Sequence, residues 1–76
     1  MIIIKTWPFG ARRNVRLQVV TSRFILGKDE DSGEGYALLG GEHEVPPVVG
    51  RRYCIEFIPG GPLCGHWRIV SELEEK

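Results

Sequence analysis

Cysteine and long apolar runs are both scarce in this sequence. The only two cysteines, Cys54 and Cys64, are too few for the disulfide framework that holds small secreted domains together. No stretch approaches the ~20 apolar residues that a membrane-spanning helix needs, and the apolar start of the chain lacks the basic leader of a secretory signal. We therefore expect a cytoplasmic protein with reduced thiols and no contact with a membrane.

An excess of charge of one sign is also lacking, because 10 Lys and Arg balance 10 Asp and Glu. Domains that bind nucleic acid usually carry a basic excess, so this balance counts against that function. The balance hides two blocks, since residues 1–28 contain no acid and residues 29–44 contain no Lys or Arg. Either the basic block binds an anionic partner, or the acidic block folds back and shields it.

The length of 76 residues predicts a single small domain, 1–76, with a thin core. Val15, Leu17 and Val19 alternate with polar residues, which is typical of a strand that buries one face. We expect this strand to continue through a bend near residues 21–22 as far as residue 26. A polar, glycine-rich loop is then predicted at residues 27–35.

Four further segments complete the predicted secondary structure. Residues 2–4 and 36–39 have the composition of short strands, whereas the adjacent prolines in residues 45–50 predict an extended connection. The clearest signal is a hairpin, with strands at 51–58 and 65–70 around a Pro-Gly-Gly-Pro turn.

The register of this hairpin can be argued from its charges. Pairing Ile55 with Trp67 places both on the buried face, with Tyr53 opposite Ile69. The slip that pairs Tyr53 with Trp67 would set Arg52 opposite Arg68, and like charges directly across a sheet are unfavourable. We therefore predict the first register, with Trp67 in the core.

About five short strands without a helical pattern predict an all-β fold. A small five-stranded barrel or an orthogonal sandwich fits this size, either SH3-like or OB-like, with at most a short helical turn at residues 71–76. Closure into a barrel would remove the exposed edges of the sheet. Small barrels serve many functions, so the fold class alone does not assign one.

The sequence lacks the residue patterns that catalysis or a metal site requires. Cys54, Cys64, His43 and His66 are zinc ligands by type, but no Cys-x-x-Cys knuckle is present, and whether they ever bind zinc is left open. Glu56 could orient His66 beside a thiol, yet a flat hairpin face provides no water-excluding pocket. We predict no enzymatic activity, no metal, no cofactor and no small-molecule substrate.

Two binding functions remain. The first is a non-catalytic module for protein–protein interaction or assembly, including self-association, because a thin-cored β domain can accept a partner strand at an edge. The alternative is a nucleic-acid-binding barrel in which cations contact phosphates and an exposed ring stacks on bases. For that alternative the predicted binding residues are Arg12, Arg13, Arg16, Arg23 and Trp7. The neutral charge places protein interaction first.

Overall fold

The computed structural model describes residues 7–40, 43, 45–60 and 65–74. These residues form five β-strands and no helix. The strands are β1 (Arg12–Val20), β2 (Phe24–Asp29), β3 (Gly35–Leu39), β4 (Arg52–Ile58) and β5 (His66–Glu72). The predicted all-β class is confirmed, and within these ranges no helix exists that could cross a membrane.

The strands form one antiparallel sheet in the order β3-β2-β1-β4-β5. β1, β2 and β3 follow one another as hairpins and β4 returns to lie beside β1, which is a Greek-key arrangement. The sheet curls so that its two edge strands approach each other, and the rings of Tyr36 on β3 and Trp67 on β5 lie 5.1 Å apart. No backbone ladder joins β3 to β5 in the described ranges, so the predicted closure into a barrel is not confirmed.

The core lies inside this curl and takes alternate side chains from all five strands. Burying each large apolar side chain contributes about 1.5–3 kcal/mol, and a small domain has few other sources of stability. Trp67 is 3% exposed, which confirms its predicted place in the core. The buried apolar residues are Val15, Leu17, Ile25, Tyr36, Leu38, Tyr53, Ile55, Phe57, Trp67 and Ile69.

The prediction of one bent strand through residue 26 is wrong, because residues 21–23 form a turn between β1 and β2. Thr21 stabilises this turn: its hydroxyl oxygen accepts hydrogen bonds from the backbone N–H groups of Arg23 and Phe24 at 3.2 and 3.0 Å. Short polar side chains favour turns in this way. β2 then continues to Asp29, so the polar loop is limited to residues 30–34.

The end of β1 also departs from the predicted alternation. The pairing of β1 with β2 shifts between Leu17 and Val19, as happens where a strand carries an extra residue. Leu17 is buried, whereas Val19 is 37% exposed and pairs with the outward-facing Leu26. Val19 therefore belongs to the outer face and not to the core.

The C-terminal hairpin is confirmed, but its predicted register is wrong. Ile55 pairs with Ile69 and Phe57 pairs with Trp67. This register sets Glu56 opposite Arg68, a favourable pair of opposite charges. It also brings the rings of Phe57 and Trp67 to 5.3 Å. The observed register is therefore stabilised on both faces of the hairpin, by the charge pair on the outer face and by the aromatic contact in the core.

The remaining segments agree with the sequence in part. Residues 45–50 contain no strand, as predicted. β5 continues to Glu72 where a helical turn was expected, and the backbone N–H of Leu73 bonds to the carbonyl of Arg52 at 2.9 Å, which keeps the chain extended beside β4. The predicted strand at residues 2–4 lies outside the described residues.

Gly40 ends β3 at a close approach of two backbones, and an added Cβ there would overlap the carbonyl group of Ser22. Because backbone atoms cannot step aside cheaply, we expect Gly40→Ala to lower the free energy of unfolding by about 1–3 kcal/mol. The matched control is Gly35→Ala, since a Cβ at that position meets no atom within 4 Å. Urea unfolding of both variants measures the difference, and equal midpoints would contradict the close approach.

Candidate functional site: the outer face of strands β1 to β3

The outward side chains of β1, β2 and β3 are apolar at the end of the sheet near the β1–β2 turn. Phe24 of β2 pairs with Leu39 of β3, while Leu26 of β2 lies between Ala37 of β3 and Val19 of β1. The four larger side chains among these are between 37% and 45% exposed. We call this surface the outer apolar patch: Val19, Phe24, Leu26, Ala37 and Leu39.

A neighbouring loop also exposes apolar side chains. Val48 and Val49 are also exposed, and their loop runs beside β1. The backbone N–H of Leu17 bonds to the carbonyl of Arg51 at 3.0 Å, and the N–H of Gly50 bonds to the carbonyl of Leu17 at 2.9 Å. Single exposed apolar residues are common, but a contiguous group of them marks a contact surface.

The core holds this loop in place through Tyr53. The Tyr53 ring is fully buried, and its hydroxyl group donates a hydrogen bond to the carbonyl of Pro46 at 3.1 Å. The same oxygen accepts one from the N–H of Val48 at 3.0 Å. The loop beside the patch is therefore fastened to the sheet and does not need to be ordered by a partner.

Cations flank the outer apolar patch. Arg23 lies directly before Phe24, and Lys28 follows Leu26 on the same outward face of β2. Arg16 is the neighbour of Lys28 across the β1–β2 ladder. Among the residues that the structure describes, no acid forms an ion pair with Arg23 or Lys28. Arg23 and Lys28 thus lie at the two ends of the patch, and Lys28 lines a surface depression together with Glu30 and Asp31 of the acidic loop.

The structure divides the predicted nucleic-acid-binding residues into two groups. Arg16 and Arg23 lie near the outer apolar patch, but Arg12 and Arg13 lie at the start of β1, at the opposite end of the sheet. Arg12 pairs with Glu56 at 3.0 Å. The Arg13 side chain lies against aromatic residues of the core. Its Nε–H donates a hydrogen bond to the Tyr36 hydroxyl at 3.2 Å, and its guanidinium lies over the Trp67 ring.

The prediction that Trp7 is an exposed ring is wrong. Its ring is half-buried, with centroids 5.1 Å from Trp67, 5.5 Å from Phe57 and 5.6 Å from Tyr36. Such tilted aromatic contacts contribute to packing beyond simple burial. Trp7 therefore covers the open end of the core.

The exposed rings are Phe9 and Phe24. Phe9 is 61% exposed and stacks on Phe57, and Phe24 is 44% exposed within the outer apolar patch. The signal for Phe24 was the Thr21 turn, because a turn at residues 21–23 restarts the alternation and places Phe24 on the outer face.

The acidic loop folds back on part of the basic surface. Glu30 accepts two hydrogen bonds from Arg52, at 2.6 and 2.8 Å, and this contact lowers the pKa of Glu30. Asp29 accepts the backbone N–H groups of Ser32 and Asp31, and the bond from Ser32 is the main cause of its lowered pKa. The described part of the acidic segment therefore shields Arg52, whereas Arg23 and Lys28 form no ion pair with an acid that the structure describes.

The cysteine and histidine residues that the structure describes do not come together. Cys54 pairs with Ser71, and His66 pairs with Ile58 further along the same hairpin. His43 lies 2.9 Å from the carbonyl of Leu39, and Cys64 lies outside the described residues. Burial raises the pKa of the Cys54 thiol, which is opposite to what a nucleophile needs. In the described ranges, no three His, Cys, Asp or Glu residues are grouped to hold a metal ion.

Comparison with known proteins gave no match to a family model, to a curated protein or to a solved structure. The function of the outer face is therefore inferred from its own residues alone.

The Glu30–Arg52 pair predicts a dependence of stability on pH. Because the pKa of Glu30 is lowered in the folded chain, the pair stabilises the fold at neutral pH, and this contribution is lost as the pH falls through the lowered pKa. We expect Glu30→Gln to cost about 0.5–1 kcal/mol at pH 7 and to lose less stability than the unmodified chain on acidification.

Thermal unfolding between about pH 7 and pH 3 measures this difference. Asp31→Asn is the matched control, because it removes a neighbouring carboxylate that forms no ion pair with any residue the structure describes. If Glu30→Gln and Asp31→Asn had the same pH profile, the pair with Arg52 would not be the cause.

Proposed function

We propose that this domain is a non-catalytic protein-binding module and that the outer apolar patch is its contact surface. The observation that carries the proposal is the contiguous exposure of apolar side chains from three neighbouring strands. Soluble domains rarely expose such a group without a partner to cover it. The centre of a protein interface is likewise apolar and is surrounded by polar or charged residues.

The rigidity of the surface supports the same proposal. Leu26 lies on a strand with ladder neighbours on both sides, and its chain neighbours Ile25 and Gly27 are buried. The loop that carries Val48 is fastened by Tyr53. A partner would therefore meet an ordered surface, and little conformational entropy would be lost from this side of the complex.

We further propose that the sheet is a partly open barrel of the OB-like kind and not of the SH3-like kind. The OB-fold is a five-stranded, partly open Greek-key barrel whose second and third strands carry the ligand face. The strand order β3-β2-β1-β4-β5 and the position of the outer apolar patch both fit that description. The analogy supports where a ligand binds and does not specify its kind.

Single-stranded nucleic acid is the second candidate ligand. Phe24 is 44% exposed and lies between Arg23 and Lys28, which is the combination of ring and cations that stacks bases and contacts phosphates. Against it, the formal net charge is zero, and Arg12 and Arg52 are neutralised by acids. Protein binding therefore remains the first proposal.

Selection from a displayed random peptide library tests the first proposal. We expect the unmodified domain to enrich peptides rich in apolar side chains. Binding should fall at least about tenfold in the variant Leu26→Ser/Leu39→Ser, because the centre of the apolar contact is removed. Both positions face outward, so the free energy of unfolding should change by less than about 1 kcal/mol.

Ile58→Ser is the matched control for this selection. Ile58 is a half-buried residue at the end of β4, beside the start of β1 and opposite the end of the sheet that carries the patch, and its replacement should leave peptide binding unchanged. Peptides that bound Leu26→Ser/Leu39→Ser as well as the unmodified domain would overturn the proposed surface.

The second candidate makes a different prediction about salt. If nucleic acid is the ligand, a thymidine oligonucleotide should bind and its affinity should fall steeply as salt increases, because counterions are released from the phosphates. Arg23→Ala/Lys28→Ala should then reduce the salt slope by about 1.4, because each phosphate contact on a single strand contributes about 0.7. Fluorescence anisotropy at several salt concentrations measures both quantities, and an oligonucleotide that does not bind at low salt removes this candidate.

A further inference from the structure

We infer that the partner of the outer apolar patch is a protein segment that carries acidic as well as apolar side chains, and not a second copy of this chain. The inference rests on the proposed function, since it specifies the chemistry of what covers that surface. It comes from the charges that surround the patch and from how the rest of the chain treats its other cations.

The cations beside the patch follow the direction of β2. Arg23 precedes Phe24, and Leu26 and then Lys28 continue along the same outward face. At about 3.3 Å per residue, Phe24 and Lys28 are separated by about 13 Å. An extended partner along β2 would thus meet a cation, two apolar side chains and a second cation in that order.

Three other arginines in or next to the sheet are already paired with acids of this chain. Arg12 pairs with Glu56, Arg52 with Glu30 and Arg51 with Glu72. No such pair involves Arg23 or Lys28 in the part of the chain that the structure describes. Lys28 also lies directly across the ladder from Arg16, so its nearest charged neighbour on β1 has the same sign.

Covering the patch would remove water from these cations. A charge that loses its water without gaining a partner of opposite sign is costly, so an apolar segment alone would bind against this penalty. Carboxylates on both sides of an apolar segment would compensate Arg23 and Lys28 and would also guide the approach of the partner.

A second copy of this chain would bring like charges together at the patch. A twofold contact places the same surface on both subunits, so the outer apolar patch would bring its own cations face to face. Like charges at an interface are unfavourable. The surface therefore matches an acidic partner better than it matches itself.

Three synthetic peptides test the inference. Each has two charged residues on both sides of a three-residue centre: the acidic peptide has Glu around Leu-Phe-Leu, the basic peptide has Lys around the same centre, and the polar peptide has Glu around three serines. Titration of the isotope-labelled domain, followed by backbone NMR, gives the affinity and the residues affected. We expect the acidic peptide to bind at least about tenfold tighter than the basic one, with shifts at Phe24, Leu26 and Leu39, and the polar peptide to bind weakly.

Two variants separate the charge from the apolar contact. Arg23→Glu/Lys28→Glu should reverse the preference, so that the basic peptide binds more tightly than the acidic one. Leu26→Ser/Leu39→Ser should weaken both peptides equally. Arg12→Glu reverses a charge at the far end of β1 and should keep the preference of the unmodified domain.

The other outcomes overturn the inference in distinguishable ways. Equal affinity for the acidic and basic peptides would overturn the acidic partner and leave the apolar surface in place. If neither apolar peptide shifts the patch residues, the proposed function fails together with the inference. A dimer in sedimentation that disappears in Leu26→Ser/Leu39→Ser would identify a second copy as the occupant. Tighter binding of a thymidine oligonucleotide at the same residues would identify nucleic acid.

Discussion

The sheet has to bury one face of every strand in a core that it encloses by curling. Side chains alternate between the two faces of a strand, so each residue that enters the core fixes the outward position of its neighbours. Ile25 is fully buried, and Phe24 and Leu26 are consequently held on the outside. The outer apolar patch is thus a direct result of the register that fills the core.

Electrostatics then determines how the outer face is divided. Glu30, Glu56 and Glu72 each compensate an arginine of β1, β4 or the adjoining loop. Arg23 and Lys28, which have no such pair among the described residues, lie on β2 and at its start together with apolar side chains. A net charge of zero therefore describes the chain but not this face, and a partner encounters the local charges.

Sequence reasoning reached the class of fold because strand alternation is a local property. It predicted β3 and the C-terminal hairpin, and it placed Trp67 in the core. It missed the turn at Thr21, although the hydrogen bonds of that turn are local. It also missed the shifted register after Leu17, which depends on the pairing between strands. The predicted hairpin register was wrong because it was chosen only to keep Arg52 and Arg68 apart. The observed register combines the favourable pair of Glu56 with Arg68 and the packing of Phe57 on Trp67.

The candidate surface was harder to predict than the core. The orientations of Phe24 and Val19 were predicted from a strand that was assumed to continue without a turn. The exposed apolar side chains were therefore not recognised as a group. The basic residues were recognised, but Arg12 and Arg13 are engaged by Glu56 and Tyr36. Such long-range pairings set which charges remain exposed, and a single sequence does not contain them.

The meeting of β3 with β5 has a consequence for how the domain opens. Their contact relies on rings such as Tyr36 and Trp67, whereas β1 has ladder partners on both sides. Local opening of a protein begins where backbone hydrogen bonds are fewest. Amide protons of β3 and β5 at this contact should therefore exchange with solvent first and those of β1 last. The sheet would then open from its edge strands while β1 keeps its ladder partners.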